Sequence, residues 1–440
     1  MIKAKFLFSF VIFMLLFPTI SSASVIHVIR NGESMWSISQ EYGTSPEVIS
    51  KINGLENQEK IIPGQSLVLP GKNYIVQPGE SLWEISKRHS VSLGEVKSLN
   101  GLQTNVVHPD QKVTIPTKAK EDTFIGAFFI PKDEQSNKNL LGKYQNVLTS
   151  VGLFEYHPDE QGNLSTLYGE SAITTAWNKG MIPYATVTNL GSKGFDDELA
   201  HKVIGNSTVR KRLINNIFSM LHKNELKGVI IDFEGIQNKD RQHFNTFIKE
   251  LAAKLHPVGM KISIALPPMQ GNRYPAYHSA YDYKTLGTYA DSLFLMTYDW
   301  HWAGGPAGPI APIGEIKETV EYAISVVPKS KIVLGVPMYA YNWSLHESSK
   351  NASAYSQQHA INVAVKYGST IHYNNETNQP YFRYTDENGI QHEVWFEDAR
   401  SILAKYRLIK EYDIAGMGGW KLDLSFPQAE YLLKEEFLIK

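Results

Sequence analysis

The sequence predicts an α/β protein: a (β/α)8 TIM barrel with a small α+β insertion after strand seven, preceded by two small βααβ modules. Three observations predict it. Eight short apolar, β-rich runs alternate with longer amphipathic stretches from residue 122 onward. The last two runs lie much further apart than one helix requires. A block of about 45 residues near the start of the chain is written twice. The composition, 42% hydrophobic and 20% charged over 440 residues, is globular and ample for one large core.

The chain opens with an address. Lys3 and Lys5 precede an apolar stretch from Phe6 to Phe17 broken only by Ser9, followed by Pro18 and the small residues Ser21, Ser22 and Ala23. A positive start, an apolar core too short to span a bilayer and a small-x-small site predict a signal peptide over residues 1–23, cleaved after Ala23. The full chain holds 43 basic and 44 acidic residues, so losing Lys3 and Lys5 leaves the exported form mildly acidic. That balance excludes a protein built to bind nucleic acid through bulk charge. After cleavage no integral membrane segment is expected. With no cysteine, disulfides, thiolate nucleophiles, Cys-ligated zinc and iron–sulfur clusters are excluded.

The two modules span residues 25–70 and 73–116. Gly32-Glu33-Ser34-Met35-Trp36-Ser37-Ile38-Ser39 returns as Gly79-Glu80-Ser81-Leu82-Trp83-Glu84-Ile85-Ser86, and Asn53-Gly54-Leu55 as Asn100-Gly101-Leu102. Each copy reads as strand, helix, helix, strand. The Ser of the Gly-Glu-Ser turn can cap the first helix, and Asn-Gly offers a left-handed exit from the second. So small a fold without disulfides needs every large apolar side chain, which places Trp36, Ile38, Trp83 and Ile85 in the core. Each copy resembles the LysM module, which binds the N-acetylglucosamine backbone of peptidoglycan or chitin. The resemblance puts the glycan in a groove between the first turn and the second-helix exit, at Gly32, Glu33 and Ser34 and at Gly79, Glu80 and Ser81. Two weak sites on one chain would gain by avidity on a repeating polymer.

Over residues 122–440 the runs are Phe124–Ile130, Leu148–Phe154, Met181–Val187, Gly228–Phe233, Lys261–Leu266, Ser292–Tyr298, Lys331–Pro337 and Ile414–Trp420. Continuous β-rich runs separated by helices such as Val209–Leu221, Asp240–Leu255 and Ile316–Val326 signal a parallel sheet covered on both faces. Eight such units are the count of a (β/α)8 barrel. The insertion, at about residues 350–400, carries a hairpin in which Pro380–Tyr384 and His392–Phe396 flank an Asp386-Glu387-Asn388-Gly389 turn. On the carboxyl face of the barrel it is placed to wall one side of a cleft.

Strand four ends Ile230-Ile231-Asp232-Phe233-Glu234. Residues i and i+2 of a strand share a side, so both carboxylates can face the barrel mouth. Buried paired acids are costly unless function requires them. Asp-x-Glu alone is weak, since Asp196-Asp197-Glu198 repeats it in a polar loop; the apolar run before Asp232 is what distinguishes strand four.

With Met296-Thr297-Tyr298-Asp299 after strand six, Leu334-Gly335-Val336-Pro337-Met338-Tyr339 on strand seven and Gly419-Trp420-Lys421-Leu422-Asp423 on strand eight, this region resembles glycoside hydrolase family 18, the chitinase-like glycosidases. That family's strand-four signature has three alternating Asp positions and a catalytic Glu. Asp232 and Glu234 match the last two, whereas Lys227 and Ile230 stand at the others. The resemblance implies substrate-assisted retention. Glu234 is the implied general acid and later base, while Asp232 orients the acetamido N–H and Tyr298 hydrogen-bonds its carbonyl. Trp420 floors the sugar, and Met296 and Asp299 complete the substrate site. Trp300, His301 and Trp302 are placed to line the aglycone side. In the usual pattern the middle Asp shares a proton with its neighbour. Ile230 cannot, so Asp232 is expected to stay turned toward Glu234, with a pH optimum unlike that of three-Asp relatives.

The resulting expectation is an exported glycosidase cutting after N-acetylglucosamine in peptidoglycan, similar to spore cortex-lytic glucosaminidases. The alternatives are a chitinase and a non-catalytic wall-binding lectin. No metal and no organic cofactor is expected. None of the 14 histidines forms a His-Glu-x-x-His pair, and no phosphate loop or Gly-x-Ser-x-Gly elbow is present.

Overall fold

The computed structural model describes residues 24–56, 60–89, 91–116, 120–271, 276–346, 352–424 and 426–439; the signal-peptide expectation lies outside them. Eight strands form the barrel: Glu121–Phe129, Ser150–Tyr156, Ile182–Thr188, Gly228–Asp232, Lys261–Leu266, Ser292–Leu295, Ile332–Pro337 and Gly416–Trp420. Each pairs in parallel with the next, and the eighth returns to the first at Gly416↔Phe124, closing the ring. The seam needs a glycine: a Cβ on Gly416 would lie 1.9 Å from the Phe124 carbonyl oxygen.

Burial on two faces explains the unbroken apolar runs. In strand four, Val229, Ile231 and Phe233 join the core between sheet and helix ring, while Ile230 joins the cluster inside the barrel. That inner cluster is aromatic. Phe128 meets Phe294 at 5.1 Å and Trp420 at 5.3 Å between ring centroids, both edge-on, the arrangement ring quadrupoles favour.

The insertion starts directly after strand seven. Strand Tyr339–Ser344 lies between Ser353–Ser356 and the central strand Gln391–Trp395 in a five-stranded antiparallel sheet completed by Gln379–Thr385 and His372–Asn374, and helix Gln357–Lys366 packs with it. The expected hairpin is Gln379–Thr385 with Gln391–Trp395, its turn fixed by Asp386 Oδ1, which accepts from the N–H groups of Asn388 and Ile390 at 2.9 Å. A fully buried pair ties the sheet to the barrel. Lys405 Nζ, from helix Ala399–Tyr412, donates to Glu397 Oε2 at 2.9 Å, and Gln379 Nε2 donates to Glu397 Oε1 at 2.7 Å.

Both modules are βααβ. Ser24–Val28 pairs with Ser66–Pro70 around helices Met35–Tyr42 and Pro46–Asn53; Asn73–Ile75 pairs with Lys112–Thr114 around Leu82–Arg88 and Leu93–Leu99. Ser34 caps the first helix and Gly54 supplies the left-handed exit, at φ 62°. The Asn of each Asn-Gly pair does more than turn the chain. Asn53 donates to the carbonyls of Ile49 and Val68 and accepts from the Val68 N–H; Asn100 does the same with Val96 and Thr114.

The tryptophans are not core. Ile38 and Ile85 are fully buried, but Trp36 is 68% exposed and Trp83 56%. Residues two apart on a helix lie about 200° apart around its axis, so Trp36 and Ile38 cannot share a face. Met35 and Leu82, three residues before the isoleucines, take the buried positions instead.

The first module is docked on the barrel. Ile26 and Val68 belong to the barrel's core cluster, and Gln428 Nε2, from helix Pro427–Glu436, donates to Asn53 Oδ1 at 2.9 Å and the Ser66 carbonyl at 2.8 Å. Arg400 and Ile371 add bonds to the carbonyls of Gly64 and Pro63. The second module shares its core with the first.

Candidate active site

A cavity of about 730 Å³ opens at the carboxyl end of the barrel strands. Asp232, Glu234, Met296, Tyr298, Asp299 and Trp420, all named from the sequence, line it together. Aromatic and apolar walls come from Phe128, Phe154, Leu190 and Phe195, with Tyr168 at the exposed rim. Trp420 is braced from below by Phe154, whose ring meets it edge-on at 4.9 Å.

The chain after strand four is held from three sides. Asn189, fully buried just past strand three, accepts from the Glu234 N–H and donates to the Glu234 carbonyl, both at 2.8 Å. Tyr281 Oη donates to the Phe233 carbonyl at 2.9 Å and accepts from the Ile236 N–H. Gln237 Nε2 donates to Asp197 Oδ2 at 2.6 Å, at the start of helix Asp197–Gly205. The acidic Asp196–Glu198 stretch is thus a helix start, with Asp196 as its cap. Asp299 sits at φ 62°, a left-handed conformation costly for a non-glycine residue, and its carboxylate accepts from the hydroxyls of Tyr339 and Tyr341. Both tyrosines belong to the insertion, which therefore reaches the site.

Desolvation governs the acids. Asp232, 4% exposed, has its pKa pushed up to about 7, first by burial and then by the charge of Glu155. Glu234 is held well above the ordinary carboxylate range, first by burial and then by the charges of Asp232 and Asp299, the direction a general acid requires.

Sequence reasoning missed Glu155. It closes strand two beside Phe154 and lines the same cavity, and burial raises its pKa too. The only available signal was one acid in the apolar run Val151–Tyr156. Of the three aromatic-side positions after strand six, Trp302 is 59% exposed and lies over Gly304 and Gly305, and none of the three lines the cavity.

In the modules, Glu33 is turned inward, accepting from the Arg30 backbone and side chain and bonded to His27. Glu80 accepts from Tyr74 and the Gln77 N–H, and Ser34 and Ser81 cap helices. Gly32 and Gly79 leave their turns open, since a Cβ on either would have nothing within 4 Å. The two second-helix exits differ. A Cβ on Gly54 would meet Pro427 Cγ at 2.5 Å, whereas one on Gly101 would meet nothing within 4 Å.

Among the described residues one group has donors placed to surround a cation: His201 Nδ1 and His243 Nδ1 lie 2.8 and 2.9 Å from Asp240 Oδ1. It shares no residue with the catalytic cavity, and the hydrogen bonds to Asp240 account for its arrangement.

The family model described as Glycosyl hydrolases family 18 matches residues 184–424, the span from strand three through strand eight. The chain belongs to that family. It is a glycoside hydrolase, and the LysM domain model matches residues 27–70 and 74–116. It is 37% identical over 423 residues to the cortical fragment-lytic enzyme of Bacillus subtilis strain 168, an alignment covering 94% of this chain and 98% of that one. The crystal structure of the Bacillus cereus spore cortex-lytic enzyme SleL superimposes with a TM-score of 0.88 at 34% identity, covering 95% of this chain and 99% of that one. The Bacillus megaterium SleL structure gives 0.82 at 29% identity, over 95% and 99%. The LysM pair and the hydrolase barrel fit binding of N-acetylglucosamine-containing glycans. No helix among the described residues is long and apolar enough to cross a membrane.

Proposed function

We propose that the chain is an exported hydrolase that cleaves the bond after N-acetylglucosamine in peptidoglycan, acting in spore or cell-wall remodelling. The observation that carries this reading is the meeting of Glu234, Asp232, Tyr298 and Trp420 in one cavity whose burial and neighbouring acids raise the pKa of Glu234. Likeness to cortical fragment-lytic enzymes over nearly the whole chain supports peptidoglycan as the polymer. The Lys3–Ala23 leader supports export.

Asp232 and Glu234 stand two residues apart and line the cavity together with Tyr298, which suits substrate-assisted retention. Glu234 gives its proton to the glycosidic oxygen as the bond to the anomeric carbon breaks. The substrate's acetamido oxygen forms the new bond to that carbon, with its N–H donating to Asp232 and its carbonyl accepting from Tyr298. Trp420 supports the sugar ring, and Met296 and Asp299 bound its position. Glu234, now ionised, removes a proton from the water that opens the intermediate. No metal or cofactor enters this chemistry. Between the modules, the open turn at Gly79–Ser81 and the open exit at Gly101 make the second copy the better placed to hold a glycan strand.

The test is incubation of the form starting at Ser24 with vegetative peptidoglycan, spore cortex fragments and chitin oligomers, with mass spectrometry of new reducing ends. N-acetylglucosamine ends from wall material, absent with Glu234→Gln, are expected. Cleavage of chitin alone would make the chain a chitinase, and binding without new ends a lectin.

A further inference from the structure

Strand two is not regular at its upper end. Its pairing with strand three shifts between Phe154, opposite Thr186, and Tyr156, opposite Val187, so Glu155 is the extra residue of a bulge. In a regular strand only one of two neighbours can face inward. Here both Phe154 and Glu155 line the catalytic cavity. Bulges beside active sites commonly re-aim a side chain in this way.

The re-aimed carboxyl is incompletely satisfied. Glu155 Oε1 lies 3.4 Å from His157 Nε2, but Oε2 is buried with no hydrogen-bond partner. Asp232 Oδ1, in the same cavity, is likewise buried without one. No lysine or arginine is among the described residues lining the cavity. Two orphaned carboxyl oxygens in one desolvated space are costly apart, and two neighbouring carboxylates cannot both ionise cheaply. One shared proton removes both penalties. Beneath them Ile230 fills a notch opposite Gly152, where a Cβ would come within 2.6 Å of Ile230 Cδ1, so strand four offers no acid of its own there.

We propose that Glu155 is the proton-sharing partner of Asp232, a positioning residue that supplies from strand two the acid missing at Ile230. This rests on the reaction proposed above. In the free enzyme one proton is held between the two carboxyls. When the acetamido group arrives, that proton moves wholly to Glu155, leaving Asp232 ionised to accept from the acetamido N–H. The proton returns when the product leaves, and none is exchanged with solvent. The charge of Glu155 acting on Asp232 agrees with this pairing. The expectation from sequence is that Asp232 stays turned toward Glu234; the proposed pairing gives it a second carboxyl to share a proton with.

The titratable groups facing the pair are Glu234 just after strand four, Tyr298 and Asp299 after strand six, His157 just after strand two and Tyr168 at the rim. Profiles of kcat and KM against pH for wild type, Glu155→Gln, Ile230→Asp and the double variant test the proposal. Glu155→Gln is expected to lower kcat about tenfold or more with KM little changed. It should also move the acidic limb down by about one pH unit, because Asp232 loses the charge that raises it. Adding Ile230→Asp to Glu155→Gln is expected to recover both. A Glu155→Gln profile that is only scaled, with its limb in place, would overturn the pairing.

A substrate-free measurement keeps this separate from the reaction itself. Carboxyl-labelled NMR titration should show Asp232 ionising at lower pH in Glu155→Gln than in wild type. An unmoved Asp232 titration overturns the pairing even if cleavage is confirmed. A moved one upholds it even if the wild type cuts no polymer. Near-identical melting temperatures are expected for wild type and the isosteric variant, so a folding defect would be visible.

Discussion

Asn189 grips both backbone groups of Glu234, taking its N–H on Oδ1 and giving Nδ2–H to its carbonyl, each at 2.8 Å. One planar amide thereby fixes the peptide that aims the proposed acid, and the same Nδ2 also reaches the Asp196 carbonyl at 2.9 Å. Loss of this clamp leaves buried backbone groups without partners, at about 1–3 kcal/mol for each. Asn189→Ala is therefore expected to lower the melting temperature and to reduce kcat by tenfold or more, on the order of the effect of misplacing a catalytic group. Initial rates and thermal melts on the same preparation check it. Unchanged kcat would mean that strand four positions Glu234 unaided.

Glu234 carries the proton transfer in the proposed reaction, so Glu234→Gln is expected to cut kcat by roughly 10²–10⁴-fold. The melting temperature should not fall, because the amide has the same shape and removes a buried acid. Its raised pKa places loss of the active form on the alkaline side: activity falls as Glu234 gives up its proton with rising pH. A rate that fell only toward acid would contradict the assignment.

Asp232 links the site to stability. Its folded pKa, about 7, lies above the ordinary value of 3.8. Between those values the folded chain binds more protons than the unfolded one, so stability falls as pH rises through that window. Asp232→Asn removes the charge that must otherwise be buried. Relative to wild type it is expected to be more stable at pH 8, by on the order of a few kcal/mol, with the difference vanishing below about pH 4. Chemical denaturation at the two pH values measures this. Equal stability at pH 8 would show that the cavity solvates the carboxylate.

What the sequence revealed and what it hid follow from how far apart the deciding residues lie. Asp232 and Glu234 were legible because they end an apolar run, and their shared face follows from the two-residue period of a strand. Tyr298 and Trp420 came from motifs that close strands six and eight, on either side of strand seven. Glu155 was hidden because its inward aim comes from a bulge, and a bulge is set by pairing between strands rather than by the local pattern. Asn189 reads as an ordinary turn residue until strand four is placed beside it. Trp36 misled for a different reason. Size and hydrophobicity argued for the core, but helical period assigned the place to Met35.

The two modules have near-identical motifs and different surroundings, which makes their glycines a direct probe of which copy meets the polymer. Asn tolerates the left-handed backbone better than other side chains do, so it can stand at Gly54, at φ 62°, or Gly101, at φ 64°. At Gly54 the new Cβ would strike Pro427, and overpacking of this kind costs about 1–3 kcal/mol. Gly54→Asn is therefore expected to lower the melting temperature by several degrees. At Gly101 the side chain enters open space at the exit proposed to border the glycan groove. Gly101→Asn is expected to leave melting nearly unchanged but to weaken co-sedimentation with insoluble peptidoglycan several-fold. Undiminished sedimentation of Gly101→Asn would move the glycan contact away from the second-helix exit. Weakened sedimentation of Gly54→Asn with unchanged melting would mean that the first module leaves the barrel to bind.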